Sequence, residues 1–440
     1  MNNNRWHAFI KSFTLAREKL LINSNFSRTI AIEVRAMIQR VQYMERIKAF
    51  KDNRLIKVIT GLRRCGKSTL MQLFKQDLLE SGIAADHIID INFELMAFDH
   101  IREYRRFYKL VRDMIPKTGK CYLLLDEVQQ VTNWEKAVNS LSVEPGIDAD
   151  IYVTGSNAHM LSSDISTLLS GRYVEIKMLP LSFKEFMLFK HLPEEMSVED
   201  RFRQYLKYGC LPAVTTLPQE DVTINEFLRG IFNTVVVKDI VARSKSKDVE
   251  LLEKLVRYVI SNTGNIISYN KISGFLNSQT QGESVKSSTI ASYLDTLEKA
   301  FIVYRANRFD IKGKEQLKTL SKFYVTDTGI RNMLMGYSDN DDIGHVLETV
   351  IYFELLRRGY QVFIGKWYDC EVDFLAISQN TRKYYQVTFS MMSEEVKKRE
   401  IAPLAAIKDN YEKTILSIDK TYITDHEGIL YQIFRSGIAP

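Results

Sequence analysis

Short apolar runs bounded by glycine and charge dominate the first half of the chain. Residues 56–60 (IKVIT), 87–93 (HIIDINF), 121–125 (CYLLL), 150–154 (DIYVT) and 173–178 (YVEIKM) are short and rich in Ile, Leu, Val and Tyr. They read as largely buried strands. Segments with apolar residues at helical spacing stand between some of them, 70–79 being the clearest. Strands and helices in this alternation predict an α/β fold with a parallel sheet. Beyond residue 180 the pattern turns helical, over 183–189, 198–208 and 224–242, broken by Gly209-Cys210-Leu211-Pro212. Leu251, Leu252, Leu255, Val256 and Val259 then keep i, i+3/i+4 spacing within 248–263. Helices over 269–276 and 287–300, a strand at 322–325 and a helix start at Thr326-Asp327-Thr328-Gly329 follow. The last third predicts a helix over 344–358 and strands over 361–364, 371–375 and 383–389.

The first strand runs into Gly61-Leu62-Arg63-Arg64-Cys65-Gly66-Lys67-Ser68-Thr69, and a helical pattern follows at once. The glycines permit backbone conformations that turn successive N–H groups inward around phosphate oxygens, and the helix start faces the same anion. Lys67 adds a mobile point charge for the terminal phosphates, and the Ser68 hydroxyl suits Mg²⁺. The strand at 121–125 ends in Asp126-Glu127. Ligands of open α/β sheets sit beyond the carboxyl ends of the strands, which points to Asp126 for the Mg²⁺ shell and Glu127 for orienting an attacking water. After the strand at 150–154 come Gly155-Ser156-Asn157-Ala158. Asn157 is the candidate sensor of the γ-phosphate and Ser156 the alternative, while a helix N-cap explains either residue as well. Arg172, in Ser170-Gly171-Arg172, suits an arginine finger acting on a neighbouring subunit's nucleotide; a structural surface arginine is the other reading.

This order resembles the AAA+ ATPases, and more closely the prokaryotic AAA-family proteins that carry a C-terminal domain of unknown function of the 4143 class. The residues that carry the resemblance are I-T-G-L-R-R-C-G-K-S-T, L-L-L-D-E-V-Q, V-T-G-S-N-A, L-S-G-R-Y and L-P-L-S-F-K-E-F, and the likeness runs from Met37 onward. It implies ATP as the nucleotide. The sequence agrees in that Asn270-Lys271-Ile272-Ser273 lacks the acid of a guanine-reading N-K-x-D. It also implies that the helical segment after residue 180 packs as a lid.

The helices at 248–263, 269–276 and 287–300, with the strand at 301–305 and the basic turn Lys312-Gly313-Lys314, have the spacing of a winged helix-turn-helix. On DNA, Ser287, Ser288, Thr289 and Ser292 would stand near the start of the recognition helix, with Lys286 and Lys314 on phosphates. Against that, the helix carries Asp295 and Glu298 and no arginine for guanine readout, and a protein-packing module fits equally. The last domain resembles the PD-(D/E)xK nuclease superfamily: Glu348 on the helix, Asp373 as the metal acid, and Gln386-Val387-Thr388 where (D/E)-x-K belongs. Thr388 cannot supply the lysine's charge, and neither Lys366 nor Lys383 is marked as its substitute. The domain therefore reads as a degenerate nuclease fold kept for interaction or nucleic-acid binding.

Composition narrows the class. The 440 residues are 45% hydrophobic and 26% charged, with 8 Pro and 20 Gly, which excludes collagen-like and largely disordered chains. A net charge of +6 permits a polyanion partner without demanding one. Cys65, Cys121, Cys210 and Cys370 are scattered and read as reduced thiols of a cytoplasmic protein. No apolar run suggests a membrane span. Residues 1–36 are basic and acid-poor, an extension or a start assigned too early, since Met37 and Met44 stand just ahead of the first recognisable element. The expected organisation is an ATPase core over 37–180, a helical lid over 181–245, a winged helix-turn-helix over 246–315 and a restriction-endonuclease-like α/β domain over 316–440. The expected activity is Mg²⁺-dependent ATP hydrolysis, with DNA, protein or further copies of the chain as partners. The alternatives are an ATP-gated binding module without turnover and an ATP-regulated nuclease.

Overall fold

The computed structural model describes residues 40–156, 169, 171–190, 195–218, 220–235, 249–279, 284–317, 320–337, 343–379, 381–418, 425–426 and 428–433. The expected extension at 1–36 and the expected helix after Asn157 lie outside these, apart from Leu169. The described residues divide into two compact units, one of residues 40–58, 68–154 and 172–176, the other of residues 59–67, 155–156, 169, 171 and 177 onward.

The N-terminal part runs α1 (Val41–Ala49), β1 (Ile56–Gly61), α2 (Lys67–Glu80), β2 (Ile88–Asn92), α3 (Tyr104–Met114), β3 (Cys121–Asp126), α4 (Trp134–Val143), β4 (Ala149–Gly155) and β5 (Tyr173–Met178). The strands form one sheet in the order β2-β3-β4-β1-β5. Strands β2, β3 and β4 are parallel, with Asn92 opposite Asp126 and Leu125 opposite Val153. Every residue of β1 and of β3 is buried, as continuous apolar runs require when helices cover both faces of a sheet. Helix α4 buries Trp134, Ala137, Val138 and Leu141, an i, i+3, i+4, i+7 stripe.

One polar residue interrupts β1. Lys57 is 0% exposed, and its ammonium bonds the Asp150 carboxylate on β4 and the Asn53 carbonyl at 3.2 Å. Asp150 also accepts from Tyr152 Oη at 2.9 Å and from the Asp52 amide at 2.8 Å. Burial lowers the Lys57 pKa, and the Asp150 carboxylate opposes that shift. The pair is tolerated inside the sheet because every charge meets an opposite charge or a dipole.

The second unit continues with α5 (Phe183–Phe189), α6 (Val198–Tyr208), α7 (Asp221–Thr234), α8 (Val249–Ser261), α9 (Tyr269–Gln279) and α10 (Ser287–Lys299). Then come β6 (Val303–Ala306), β7 (Arg308–Asp310), β8 (Glu315–Gln316), β9 (Lys322–Val325), α11 (Thr328–Met335) and α12 (Ile343–Arg357). The chain ends with β10 (Gln361–Trp367), β11 (Cys370–Ser378), β12 (Thr381–Val387), α13 (Glu394–Ala406), β13 (Glu412–Ser417), β14 (Asp425–His426) and β15 (Ile429–Ile433). An eight-stranded sheet runs β14-β15-β13-β12-β11-β10-β7-β8. Phe374 and Tyr385 pack with α12 residues in one core cluster, while their neighbours Leu375 and Tyr384 pack with Leu404 of α13 in another. The period of two along β11 and β12 thus serves both faces.

The break at Gly209-Cys210 and the helix start at Asp327 turn out to be one joint. The Asp327 carboxylate caps α11 through Ile330 N at 2.8 Å and accepts the Cys210 amide at 2.7 Å. A Cβ on Gly329 would stand 2.3 Å from the Tyr208 carbonyl oxygen, and one on Gly209 would stand 2.5 Å from the Asp327 carboxylate. Only glycine lets the two segments approach this closely.

The expected wing is divided. Strand β6 pairs antiparallel with β9, whereas β7 joins β10 in parallel and β8 antiparallel. The turn Lys312-Gly313-Lys314 therefore belongs to the edge of the eight-stranded sheet, and a boundary after residue 315 cuts through a hairpin. Phe309 and Ile311 drive this, being buried against Val372 and Leu375.

Replacing Lys57 by Met leaves Asp150 buried without its cation and is expected to cost about 3–5 kcal/mol in urea denaturation. The double variant Lys57→Met/Asp150→Leu is expected to recover most of that loss. Equal destabilisation of single and double variants would show that the pair is not what holds β1 to β4.

Candidate functional site

Strand β1 ends in a loop whose backbone is set by three residues with positive φ: Gly61 at 148°, Arg64 at 67° and Gly66 at 103°. At Gly61 a side chain is impossible, because a Cβ would stand 2.2 Å from the Met178 carbonyl oxygen. Gly66 faces Met178 Cε and Pro212 Cγ, at 3.4 and 3.8 Å from a notional Cβ. The buried Cys65 thiol lies 3.6 Å from the Met178 carbonyl oxygen, so Leu62 and Cys65 anchor the loop while Arg64 points outward. Helix α2 begins at Lys67, leaving the unpaired N–H groups of its first turn at the loop. The Lys67 side chain is 4% exposed and folds back so that Nζ donates to the carbonyls of Gly61 at 3.1 Å and Leu62 at 3.2 Å. Ser68 and Thr69 are exposed.

At the end of β3, Asp126 is held from two neighbouring strands. Its Oδ2 accepts from Asn92 Nδ2 of β2 at 3.0 Å, and its Oδ1 accepts from the Thr154 hydroxyl of β4. The same Thr154 oxygen accepts the Glu127 amide at 3.0 Å, so one hydroxyl orients both acids. Glu127 itself is left-handed, at φ 53° and ψ 43°, a conformation that costs about 1–2 kcal/mol for a residue with a Cβ. Its carboxylate accepts from the Gln129 side-chain amide. Both acids are buried. Asp126 and Glu127 were legible in the sequence; Asn92, Thr154 and Gln129 were not singled out. The signal for Asn92 and Thr154 is that each ends an apolar run at the level of Asp126 in the sheet.

Asn157 lies outside the described residues, and Ser156 is buried. Arg172 is exposed, and its carbonyl accepts the Ile56 amide at 2.8 Å, which ties the start of β5 to the start of β1. Of the residues named for DNA, Ser287 donates to the Asn270 side chain at 2.6 Å, joining α10 to α9. The two acids of α10 are internally paired, Asp295 with Lys299 at 2.7 Å and Glu298 with Arg305.

A second charged cluster forms in the C-terminal region. Lys322, at the start of β9, is 5% exposed and bonds Glu371 at 2.9 Å and Glu348 at 3.4 Å. Glu348 also accepts from Tyr324 Oη at 3.0 Å and lies 3.3 Å from His345 Nδ1. Asp373 accepts the Val387 amide at 2.8 Å, while the Gln386 side-chain oxygen accepts the Asp373 amide at 3.3 Å. Burial pushes Lys322 toward neutrality, but the charges of Glu348, Asp373 and Glu371 outweigh it and raise its pKa. Burial and then the Glu348 charge raise the Asp373 carboxyl well above its usual range. Lys383, weighed as a migrated lysine, pairs instead with Glu412 at 2.8 Å. Sequence reading gathered Glu348, Asp373 and Gln386 correctly into one neighbourhood and missed Lys322. Among the described residues no group of three or more His, Cys, Asp or Glu is arranged to hold a metal ion, and no helix is long and apolar enough to cross a membrane.

Residues 53–187 match the AAA domain family, and residues 199–341 match a domain of unknown function (DUF8612). A Haemophilus influenzae protein described as uncharacterized is 38% identical over 398 residues, covering 90% of this chain and 97% of that one. The uncharacterized protein MJ1544 of Methanocaldococcus jannaschii is 32% identical over 375 residues, covering 80% and 79%. Among solved structures, the Walker-type ATPase PABY2304 of Pyrococcus abyssi is similar over 68% of this chain and 96% of its own, with a TM-score of 0.47 and 12% identity. The chain belongs to the same family as the Haemophilus and Methanocaldococcus proteins, and its residues 53–187 match the AAA domain family.

Proposed function

We propose that the protein binds ATP with Mg²⁺ and hydrolyses it. The observation that carries this reading is the left-handed loop at Gly61, Arg64 and Gly66, capped by a buried Lys67 that rests on the loop's own carbonyls. A triphosphate entering the loop gives Lys67 better acceptors than two carbonyls, and the ammonium exchanges one set for the other. The loop amides and the first turn of α2 then face the β- and γ-phosphates.

A hard cation suits oxygen donors, and the Ser68 hydroxyl and the Asp126 carboxylate are of that kind. When bound there, Mg²⁺ neutralises charge that develops on the phosphates. Thr154 and Asn92 hold Asp126 from both sides, which is the second layer such a ligand needs. Glu127 is the group assigned to orienting water, and the Gln129 side-chain amide donates to its carboxylate. Asn157 and Arg172 remain the proposed γ-phosphate sensor and the group offered to a neighbouring copy. The exposed position of Arg172 supports the latter.

DNA or protein is the proposed partner of the α8–α10 region. Hydrolysis is favoured over a binding module without turnover because both acids after β3 are present and held by hydrogen bonds.

Three variants test the reading. Lys67→Ala is expected to abolish ATP-dependent phosphate release and to weaken binding of a fluorescent ATP analogue. Glu127→Gln is expected to keep that binding while slowing phosphate release about 10²–10⁴-fold, the usual worth of a positioned base. If Glu127→Gln turns over like wild type, water is oriented by another group. Thr154→Val removes the hydroxyl shared by Asp126 and Glu127. It is expected to raise the Mg²⁺ concentration needed for half-maximal activity about 10–100-fold. An unchanged Mg²⁺ requirement would remove Asp126 from the cation's shell.

A further inference from the structure

A PD-(D/E)xK-type site needs carboxylates free to converge on a divalent cation and a lysine free to reach the attacked phosphate. The residues here fail both requirements. Glu348 already receives the Lys322 ammonium and the Tyr324 hydroxyl, with His345 Nδ1 3.3 Å away, and Asp373 receives the Val387 amide. The Gln386 amide oxygen, in the place of the second acid, is turned to the Asp373 backbone N–H. Lys322 is 5% exposed and spans Glu348 of α12 and Glu371 of β11, so its charge is spent on joining a helix to a sheet.

We infer that the Lys322 ammonium is a built-in cation standing where a nuclease-like site would hold its metal, so that these acids bind no divalent ion and cut no phosphodiester. The lysine absent from the Gln386-Val387-Thr388 position has not moved to a catalytic place. A lysine from β9 has taken over the metal's electrostatic task instead, placing one positive charge between Glu348 and Glu371. The C-terminal sheet is then a packing or docking module. The inference stands apart from the nucleotide reading, since every group in it lies at residue 322 or beyond.

The test is equilibrium dialysis of the full chain, free of nucleotide, against MnCl₂, with Asp126→Asn present throughout to silence the nucleotide site. That chain is expected to take up no Mn²⁺ that a further Asp373→Asn removes. Adding Lys322→Met opens the cluster and is expected to create one Mn²⁺ site per chain, lost again in Lys322→Met/Asp373→Asn. Asp373-dependent Mn²⁺ uptake with Lys322 intact overturns the inference, as does a folded Lys322→Met chain that takes up none. Should Lys322→Met not fold in buffer alone, thermal melting decides: Mn²⁺ is expected to restore a cooperative transition to Lys322→Met and to leave the melting of the Lys322 chain unshifted. A Mn²⁺-dependent rise in the Lys322 chain that Asp373→Asn cancels contradicts the inference.

Discussion

The closest steric constraint in the N-terminal part is the approach of the Gly61 α-carbon to the Met178 carbonyl, where a Cβ would be only 2.2 Å away. That contact forbids a side chain at the end of β1 and sends the chain into the left-handed turn from which the loop is built. Positive φ at Gly61, Arg64 and Gly66 bends the loop between β1 and α2, and within it the Cys65 amide donates to the Leu62 carbonyl at 3.2 Å. Backbone geometry here comes before chemistry. The proposed anion binding rests first on this backbone, and the lysine and hydroxyls add to it.

Three of the buried lysines show how differently one chain uses an ammonium out of water. Lys57 is locked against Asp150 and holds two strands together. Lys322 is shared between two glutamates and holds a helix to a sheet. Among the described residues the partners of Lys67 are neutral carbonyls, each a weaker acceptor than a carboxylate or phosphate. The first two meet carboxylates, whereas the third rests on carbonyls of its own loop. Partner chemistry, rather than burial, separates Lys57 and Lys322 from Lys67, the cation proposed to act on a ligand.

Much of the N-terminal site was legible because its signals are local. A glycine that must turn, a lysine at a helix start and two acids ending an apolar run each carry their meaning within a few residues. Thr154 and Asn92 carry theirs only through register: Asn92 faces Asp126 across the β2–β3 ladder, and Thr154 follows Val153, which stands opposite Leu125. The expected wing failed for a related reason. Phe309 and Ile311 are too apolar for an exposed hairpin, yet nothing near them in sequence names Val372 and Leu375 as their partners. Lys322 was the hardest to foresee. It stands 26 residues before Glu348, on a strand paired with β6 rather than with β11, and reaches the acids only through tertiary packing.

The measurement that tests the account most directly is a crystal structure of the Glu127→Gln chain with ATP and Mg²⁺. The account predicts a triphosphate against the amides of residues 61–69, Lys67 Nζ moved from the Gly61 and Leu62 carbonyls onto phosphate oxygens, and the cation within reach of Asp126. A nucleotide bound elsewhere, or a loop still closed by Lys67 at saturating ATP, would contradict it.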